Sequence, residues 1–374
     1  MIDFWSYKKE YKILRKEILS SIDKTFSNGV IFFGKNLINF ENNFIKKYKS
    51  KYGLAVKSGT DALLISLMAI GVKRGDQVIT ASNTAIPTIS AIINSGAIPV
   101  LVDVNDDYLM DHTKVLKAIN SKTKAIIPVH LYGKSCDMTK LFSIIKNKNI
   151  HIIEDCAQAQ GSMFKNKFVG TFGSFGCFSF YPTKILGGYG DGGFILTNSY
   201  KLFNLAKKIR FYGIETVNKN DKLYGKYYAN INGLNSRLDE INAKILDIKL
   251  KKINKFISRR REIAKIYNDN LKDTSLTLPK KISKSNHVYH LYTVSHKDRD
   301  FIIDKLYKKK IGTKIIYPYP IHKMKAYKKI FNKKKFINSE TFSKKIFSLP
   351  IYPELTNKQI LKVIYELKLI LKSL

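Results

Sequence analysis

Seven short apolar runs between Gly53 and Asn198 alternate with stretches of helical periodicity, and this alternation constrains the fold more than any other feature of the chain. The runs are GLAVKS (53–58), QVITAS (77–82), IPVLVDV (98–104), AIIPVHLY (125–132), HIIEDCA (151–157), CFSFYP (177–182) and GFILTN (193–198). They are rich in β-branched and aromatic residues, as buried strands are. Between several of them, segments such as TDALLISLMAIG and TISAIINSG repeat apolar positions at intervals of three and four, as a helix with one buried face requires. Strand, helix, strand in repetition implies a mostly parallel sheet with helices on both faces.

Open sheets of this kind bind ligands beyond the carboxyl ends of their strands. Ser58, Thr84, His130, Asp155 and Lys184 stand at or just past such ends, so they are expected to converge in one cleft. Past Leu234 the texture changes to a lysine-rich helical stretch, RLDEINAKILDIKLKKINKFISRRREIAKIYND, and then to a mixed segment with HLYTVS and TKIIYPYP as strand candidates. The expected organisation is a large domain over residues 1–245, including the N-terminal segment, and a smaller C-terminal α/β domain over residues 246–374.

Lysine and arginine number 66 against 29 acidic residues, a formal charge of +37. Clustered cations are the footprint of nucleic-acid binders. Here the excess is spread over Lys8-Lys9, Lys46-Lys47, Arg259-Arg260-Arg261, Lys308-Lys309-Lys310 and Lys333-Lys334-Lys335, on segments that read as exposed helix faces or loops. Lysine far outnumbers arginine, whose bidentate fork suits phosphate recognition. No specific nucleic-acid function is expected, while the field would still draw in anionic substrates. A basic regulatory or nucleic-acid-binding protein on the same scaffold is the rival reading from another class.

The start, MIDFWSYKKEYKILRKEI, lacks the apolar core of a signal peptide, and no later run approaches a membrane span, so a cytoplasmic protein without membrane insertion is expected. Cys136, Cys156 and Cys177 show no CxxC spacing and read as buried free thiols. His287 and His290 stand three apart, but nothing completes a ligand set, so no metal is expected.

Three stretches carry the chemistry. SGTDALLISL opens a helix on small residues, with Thr60 suited to the N-cap; the amides and dipole of such an end form an anion site that fits a phosphate ester. IIEDCAQA ends a buried strand in Asp155, and a buried carboxylate calls for a cationic partner. FSFYPTKILGGYGDGG sets Lys184 past a strand end, ahead of glycines that let backbone approach a ligand closely. That glycine string precedes a strand instead of joining strand to helix, so a dinucleotide fingerprint is discounted. A phosphate cradle, a lysine and a buried acid are together what pyridoxal phosphate (PLP) requires. The lysine forms a Schiff base, and the carboxylate keeps the pyridine nitrogen protonated so that the ring acts as an electron sink.

The order SGTDAL, EDCAQAQGS, FSFYPTKILGGYGDGG, NGLNSRLDEINAKIL, HLY with IGTKIIYPYPIHKMKAY, and LPIYPELT resembles the nucleotide-sugar aminotransferases of the DegT/StrS type. The resemblance spans nearly the whole chain, from NGVIFFGKNLINFE to LPIYPELTNKQI. It implies an α/β fold of the fold-type-I PLP aminotransferases and a homodimer with active sites shared at the subunit interface. It implies Lys184 as the Schiff-base and catalytic lysine, Asp155 as the partner of the pyridine nitrogen, and Gln158 near the ring hydroxyl. Gly59, Thr60 and Ser179 match phosphate contacts, and Asn235 matches an asparagine that reaches the phosphate of the neighbouring subunit's cofactor. Tyr181, Tyr317 and His322 match positions near the sugar nucleotide. After Asn83-Thr84 many relatives carry an aromatic that stacks on the ring. Ala85 stands there in this chain, so another side chain of the NTAIPT loop is expected to cover it.

The implied reaction moves an amino group from L-glutamate to a keto-sugar nucleotide, with PLP cycling through its pyridoxamine form (PMP). Tyr181 and the GxGDGG loop look more like enzymes that aminate C3 of a dTDP-3-keto-6-deoxyhexose, for surface glycan biosynthesis, than like C4 enzymes on UDP-4-keto sugars, many of which carry histidine at that position. The related sugar dehydratases replace the lysine with histidine, and Lys184 argues against that activity.

Overall fold

In the computed structural model, which describes residues 1–214, 228–280, 285–332 and 334–374, every one of the seven apolar runs forms a strand; Lys333 of the last basic run lies outside the described residues. Helices α1 (Lys8–Ser27) and α2 (Lys35–Tyr48) lead into β1 (Tyr52–Val56). Then α3 (Gly59–Ala69), β2 (Gln77–Ala81), α4 (Ile86–Asn94), β3 (Ile98–Val102), α5 (His112–Ala118), β4 (Thr123–Ile127), α6 (Met138–Ile144) and β5 (His151–Asp155) alternate. The short pair β6 (Met163–Phe164) and β7 (Lys167–Phe168) precedes β8 (Phe175–Ser179), β9 (Gly193–Thr197) and α7 (Tyr200–Arg210). The rest runs α8 (Glu240–Leu250), α9 (Ile253–Leu271), β10 (Ser285–Asn286), β11 (Tyr292–Ser295), α10 (Arg299–Lys308), α11 (Ile337–Lys345), β12 (Ile346–Leu349) and α12 (Asn357–Lys372).

The main sheet has the order β1-β9-β8-β5-β4-β2-β3. Strands β2, β3, β4, β5 and β8 pair in parallel, whereas β9 is antiparallel to both β8 and β1. The segment between β8 and β9 therefore starts and finishes at the same edge of the sheet, and that edge is the carboxyl edge where Asp155 also ends β5. Burial follows the two-residue pleat. Leu54, Val56, Val78, Ile127 and Ile153 pack under α3, α4 and α7 with Leu63, Ile89 and Ile209. On the other face, Ile79, Ile126 and Ile152 meet Val115 and Leu141, while Ala55, Phe178 and Phe194 meet Phe40, Phe44 and Leu246. A sheet covered on both faces needs apolar residues at successive positions, which is why its strands read as continuous runs.

Three expectations are corrected. Ser58, not Thr60, caps α3: its hydroxyl accepts from Asp61 N at 3.1 Å, and Thr60 is already helical. The lysine-rich stretch is two helices, broken at Lys251-Lys252. TKIIYPYP forms no strand; β11 instead pairs antiparallel with β12, and Lys314 makes one isolated bridge to Ser348. Pro318 and Pro320 have no N–H to give to a ladder. The boundary expected at 245/246 falls inside α8, and Leu246, Leu250 and Ile253 pack with the first core. A second core begins at Ile263 in α9 and takes in Ile2, which bridges to Ile311. Helix α9 thus contributes to both cores, and Ile2 at the start of the chain packs in the second.

The three cysteines are buried and free. Among the described residues, no helix is long and apolar enough to cross a membrane.

Candidate active site

Asp155 is fixed before its side chain does anything. Its backbone N–H donates to Pro128 O at 2.9 Å and its carbonyl accepts from His130 N at 3.0 Å, which pins the end of β5 beside the segment leaving β4. The buried carboxylate accepts from Thr88 Oγ1 at 2.9 Å and from Ala157 N at 3.1 Å. Burial pushes its pKa up; the two donors and the positive charge of Lys184 oppose that rise.

Lys184 is carried by a tight turn past β8, in which Lys184 N donates to Tyr181 O at 2.9 Å and Gly188 N to Phe180 O at 2.8 Å. A Cβ on Gly187 would stand 2.2 Å from Pro182 O, so the turn admits only glycine there. Burial lowers the Lys184 amine to about 8, against the pull of Asp155. A useful fraction is thus neutral, and nucleophilic, near neutral pH.

The N-terminus of α3 faces the start of the same segment. The first amides of a helix, here those of Gly59 and Thr60, have no intrahelical acceptor. A Cβ on Gly59 would lie 2.7 Å from Ser179 Cβ, so glycine lets the helix end press against the end of β8. Amides, a dipole and the Ser179 hydroxyl make a cradle for a phosphate dianion. With an amine of depressed pKa and a buried acid beside it, the donor set fits PLP: Gly59, Thr60 and Ser179 would hold the phosphate, Lys184 the aldehyde carbon and Asp155 the pyridine nitrogen.

The other expected residues divide. Gln158 is buried past Asp155, with Tyr132 N donating to its Oε1 at 2.9 Å and its Nε2 donating to the Tyr317 hydroxyl at 2.8 Å. Tyr181 is exposed and follows Ser179 by two residues. Asn235 is exposed on a loop tied to α3: Ser236 Oγ donates to Asp61 Oδ2 at 2.6 Å and accepts from Lys57 N at 3.1 Å. His322 is buried, with Nε2 at 2.9 Å from Glu340 Oε1 and its ring against Phe336; its Nδ1 has no partner among the described residues. Ala85 precedes α4 half-buried, and Ile86 is the exposed large side chain of that loop.

His130 does not join the cleft. Adjacent residues of a strand point to opposite faces, so Glu154 points away from Asp155, and His130 turns to it with Nε2 3.1 Å from Glu154 Oε2. Cys136 N donates to the other ring nitrogen at 3.0 Å. The same carboxylate accepts from the amides of Gly170, Phe172 and Gly173 at 2.8, 2.7 and 2.9 Å. His130, Glu154 and Cys156 lie close enough to hold a metal, yet these bonds already occupy the carboxylate and both ring nitrogens. The cluster is a structural network joining β5 to the segment before β8. Thr84 also stands one step back, with its hydroxyl 3.0 Å from that of Thr88.

Two contributors escaped sequence reasoning. Thr88 on α4 orients Asp155; its only signal is a hydroxyl on the buried face of an apolar helix. Tyr132 holds Gln158 through backbone at a positive φ of 59°, which its residue type does not announce. Behind the Lys184 turn lies a cavity of 780 Å³ lined by Trp5, Thr183, His290, Ile303 and Lys314 among others. It borders the site at Thr183, His290 and Ile316 and is its neighbour, not the cleft itself.

Residues 12–368 match the DegT/DnrJ/EryC1/StrS aminotransferase family. The chain is 40% identical over 358 residues to a dTDP-3-amino-3,4,6-trideoxy-alpha-D-glucose transaminase of Micromonospora megalomicea subsp. nigra, covering 94% of each. It is 39% identical over 366 residues to a dTDP-3-amino-3,6-dideoxy-alpha-D-galactopyranose transaminase of Aneurinibacillus thermoaerophilus, covering 97% of this chain and 98% of the relative. The crystal structure of DesV from S. venezuelae superposes with a TM-score of 0.93 at 34% identity, covering 98% of this chain and 97% of that one. With the family matched over nearly its full length and the lysine, acid and helix end in register at one sheet edge, the chain belongs to the DegT/DnrJ/EryC1/StrS aminotransferase family.

Proposed function

We propose that the protein transfers the amino group of L-glutamate to a dTDP-3-keto-6-deoxyhexose, giving the 3-amino sugar for a surface glycan, as a cytoplasmic homodimer. The observation that carries the reading is Lys184, its amine lowered to about 8, on the segment that leaves the α3 cradle at Ser179 and within the field of Asp155. The C3 assignment draws support from relatives named as dTDP-3-amino-sugar transaminases.

When bound, PLP supplies an electron sink for charge developing at a substrate carbon. The protein supplies the rest. The amides at the start of α3 anchor the phosphate, and Asp155, kept dry and doubly hydrogen-bonded, holds a proton on the pyridine nitrogen. Lys184 would hold the cofactor until the amino donor takes its place, and its freed Nζ would then move a proton at the donor's α-carbon. The same nitrogen runs the transfer in reverse for the keto sugar, so the kinetics are expected to be ping-pong.

Incubation with L-glutamate and either a dTDP-3-keto-6-deoxyhexose or a UDP-4-keto sugar, read by mass spectrometry, separates the sugar readings. Amination of the dTDP sugar is expected; turnover of the UDP-4-keto sugar alone would sink C3 and leave the aminotransferase standing. The charge of +37 is the observation behind a regulatory or nucleic-acid-binding role, which a salt-dependent shift of random duplex DNA would support.

The shared site has its own test. Asn235 is exposed and would reach the phosphate of the neighbouring subunit's cofactor. Co-expressed Lys184→Ala and Asn235→Ala chains give mixed dimers with both lesions in one site and none in the other. At PLP concentrations limiting for Asn235→Ala, these dimers should regain close to half of the wild-type activity. Mixed dimers as inactive as their parents would mean that Asn235 serves its own chain or no site.

A further inference from the structure

We infer that Tyr317 is a positioning residue: by aiming the Gln158 amide at the cofactor's ring hydroxyl, it lowers the proton affinity of the nitrogen through which Lys184 holds the cofactor. The inference rests on the reading of Lys184 as the PLP-bearing lysine.

The Gln158 amide is gripped at both ends. Its oxygen accepts from Tyr132 N at 2.9 Å, which fixes which end of the amide is which, and its nitrogen donates to Tyr317 Oη at 2.8 Å. An amide nitrogen has two N–H bonds, so one remains for a ligand. Tyr317 is tied back in turn, because the hydroxyl of Tyr132 donates to the carbonyl of Ile316. Tyr132, Gln158, Tyr317 and Ile316 thus form a closed ring of contacts joining three segments, with the partners of the Gln158–Tyr317 bond 159 residues apart. Burial and the nearby charge of Asp155 raise the Tyr317 phenol, so it stays protonated through the neutral range and works as a fixed hydroxyl, not as a base.

PLP offers three polar exits: the phosphate, the pyridine nitrogen and the ring hydroxyl next to the carbon that Lys184 attacks. The end of α3 and Asp155 answer the first two. Gln158, three residues past Asp155, is placed to answer the third. An N–H donated to the ring oxygen stabilises its anionic form and weakens its hold on the proton of the neighbouring nitrogen. A Gln158 free to rotate would lose that effect.

The test uses the full-length protein loaded with PLP, its visible absorbance followed against pH. Tyr317→Phe keeps the ring and removes the hydroxyl, and the midpoint is expected to rise by about one pH unit. Gln158→Ala should raise it at least as far, and the double variant no further than Gln158→Ala alone, since both act through one contact. If Tyr317 only packed, Tyr317→Phe could lower the melting temperature while leaving the midpoint in place. An unmoved midpoint in Tyr317→Phe, or shifts that simply add in the double variant, would overturn the inference. Failure of the wild-type protein to form a pH-dependent band would overturn the Lys184 reading and this inference with it.

Discussion

Lys184→Ala is expected to lower transamination by about 10⁴-fold, the upper range for loss of a positioned acid–base group, and to abolish the covalent link to the cofactor. Borohydride reduction of the loaded wild-type protein followed by peptide mapping should find the adduct on Lys184 and on no other of the many lysines. The specificity is a matter of place as well as charge. Burial lowers both Lys184 and Lys134 to about 8, but the charge beside Lys184 is Asp155 at the ligand edge, whereas Lys134 faces Asp107 and Lys280. Only the neutral amine adds to an aldehyde, so capture of PLP by cofactor-free protein should speed up as pH rises through about 8 and level off above it. An adduct on a different lysine, or Lys184→Ala retaining more than a tenth of the activity, would remove Lys184 from its role.

The sheet was legible because both of its faces are buried, so β2, β4 and β5 could be read as apolar runs without any tertiary knowledge. The place of Asp155 and Lys184 at the carboxyl edge was legible for a related reason: it follows from where the apolar runs end. His130 satisfied the same rule and failed it, because a strand end specifies the edge and not the face. Whether a side chain turns toward the cleft or toward Glu154 depends on the pleat and on partners such as Cys136 N. The cap of α3 was misplaced by two residues, since serine and threonine are nearly equivalent as caps and only the backbone decides between them. Thr88, Tyr132 and the Gln158–Tyr317 bond had no local signal at all. They join segments far apart in the chain, and such contacts appear only when the sheet has brought its loops together. TKIIYPYP shows the opposite failure: a good apolar composition was overruled by two prolines that leave nothing to pair.

Asp155→Asn is expected to separate stability from function. In cofactor-free protein the carboxyl has a folded pKa raised by burial above its unfolded value. An acid shifted upward penalises folding at every pH above the folded value, and the penalty fades as pH falls through that value. Asparagine removes the charge while its oxygen still accepts from Ala157 N, and the Thr88 hydroxyl can turn to donate to Thr84, 3.0 Å away. The cofactor-free variant should therefore melt at neutral pH no lower than the wild type. With PLP the order reverses. A protonated pyridine nitrogen facing Asp155 gains a charge-paired hydrogen bond that asparagine cannot supply. Pairing of this kind moves a pKa by about one to three units, and each unit is worth about tenfold. Asp155→Asn should accordingly lose most of the rise in melting temperature that PLP gives the wild type, and its kcat should fall about 10- to 10³-fold. A variant that melts well below the wild type without cofactor, yet keeps kcat within twofold, would show that Asp155 holds the end of β5 in place and does nothing for the ring. A buried charge that the fold would be more stable without is what is expected of a group whose cost a bound cofactor offsets.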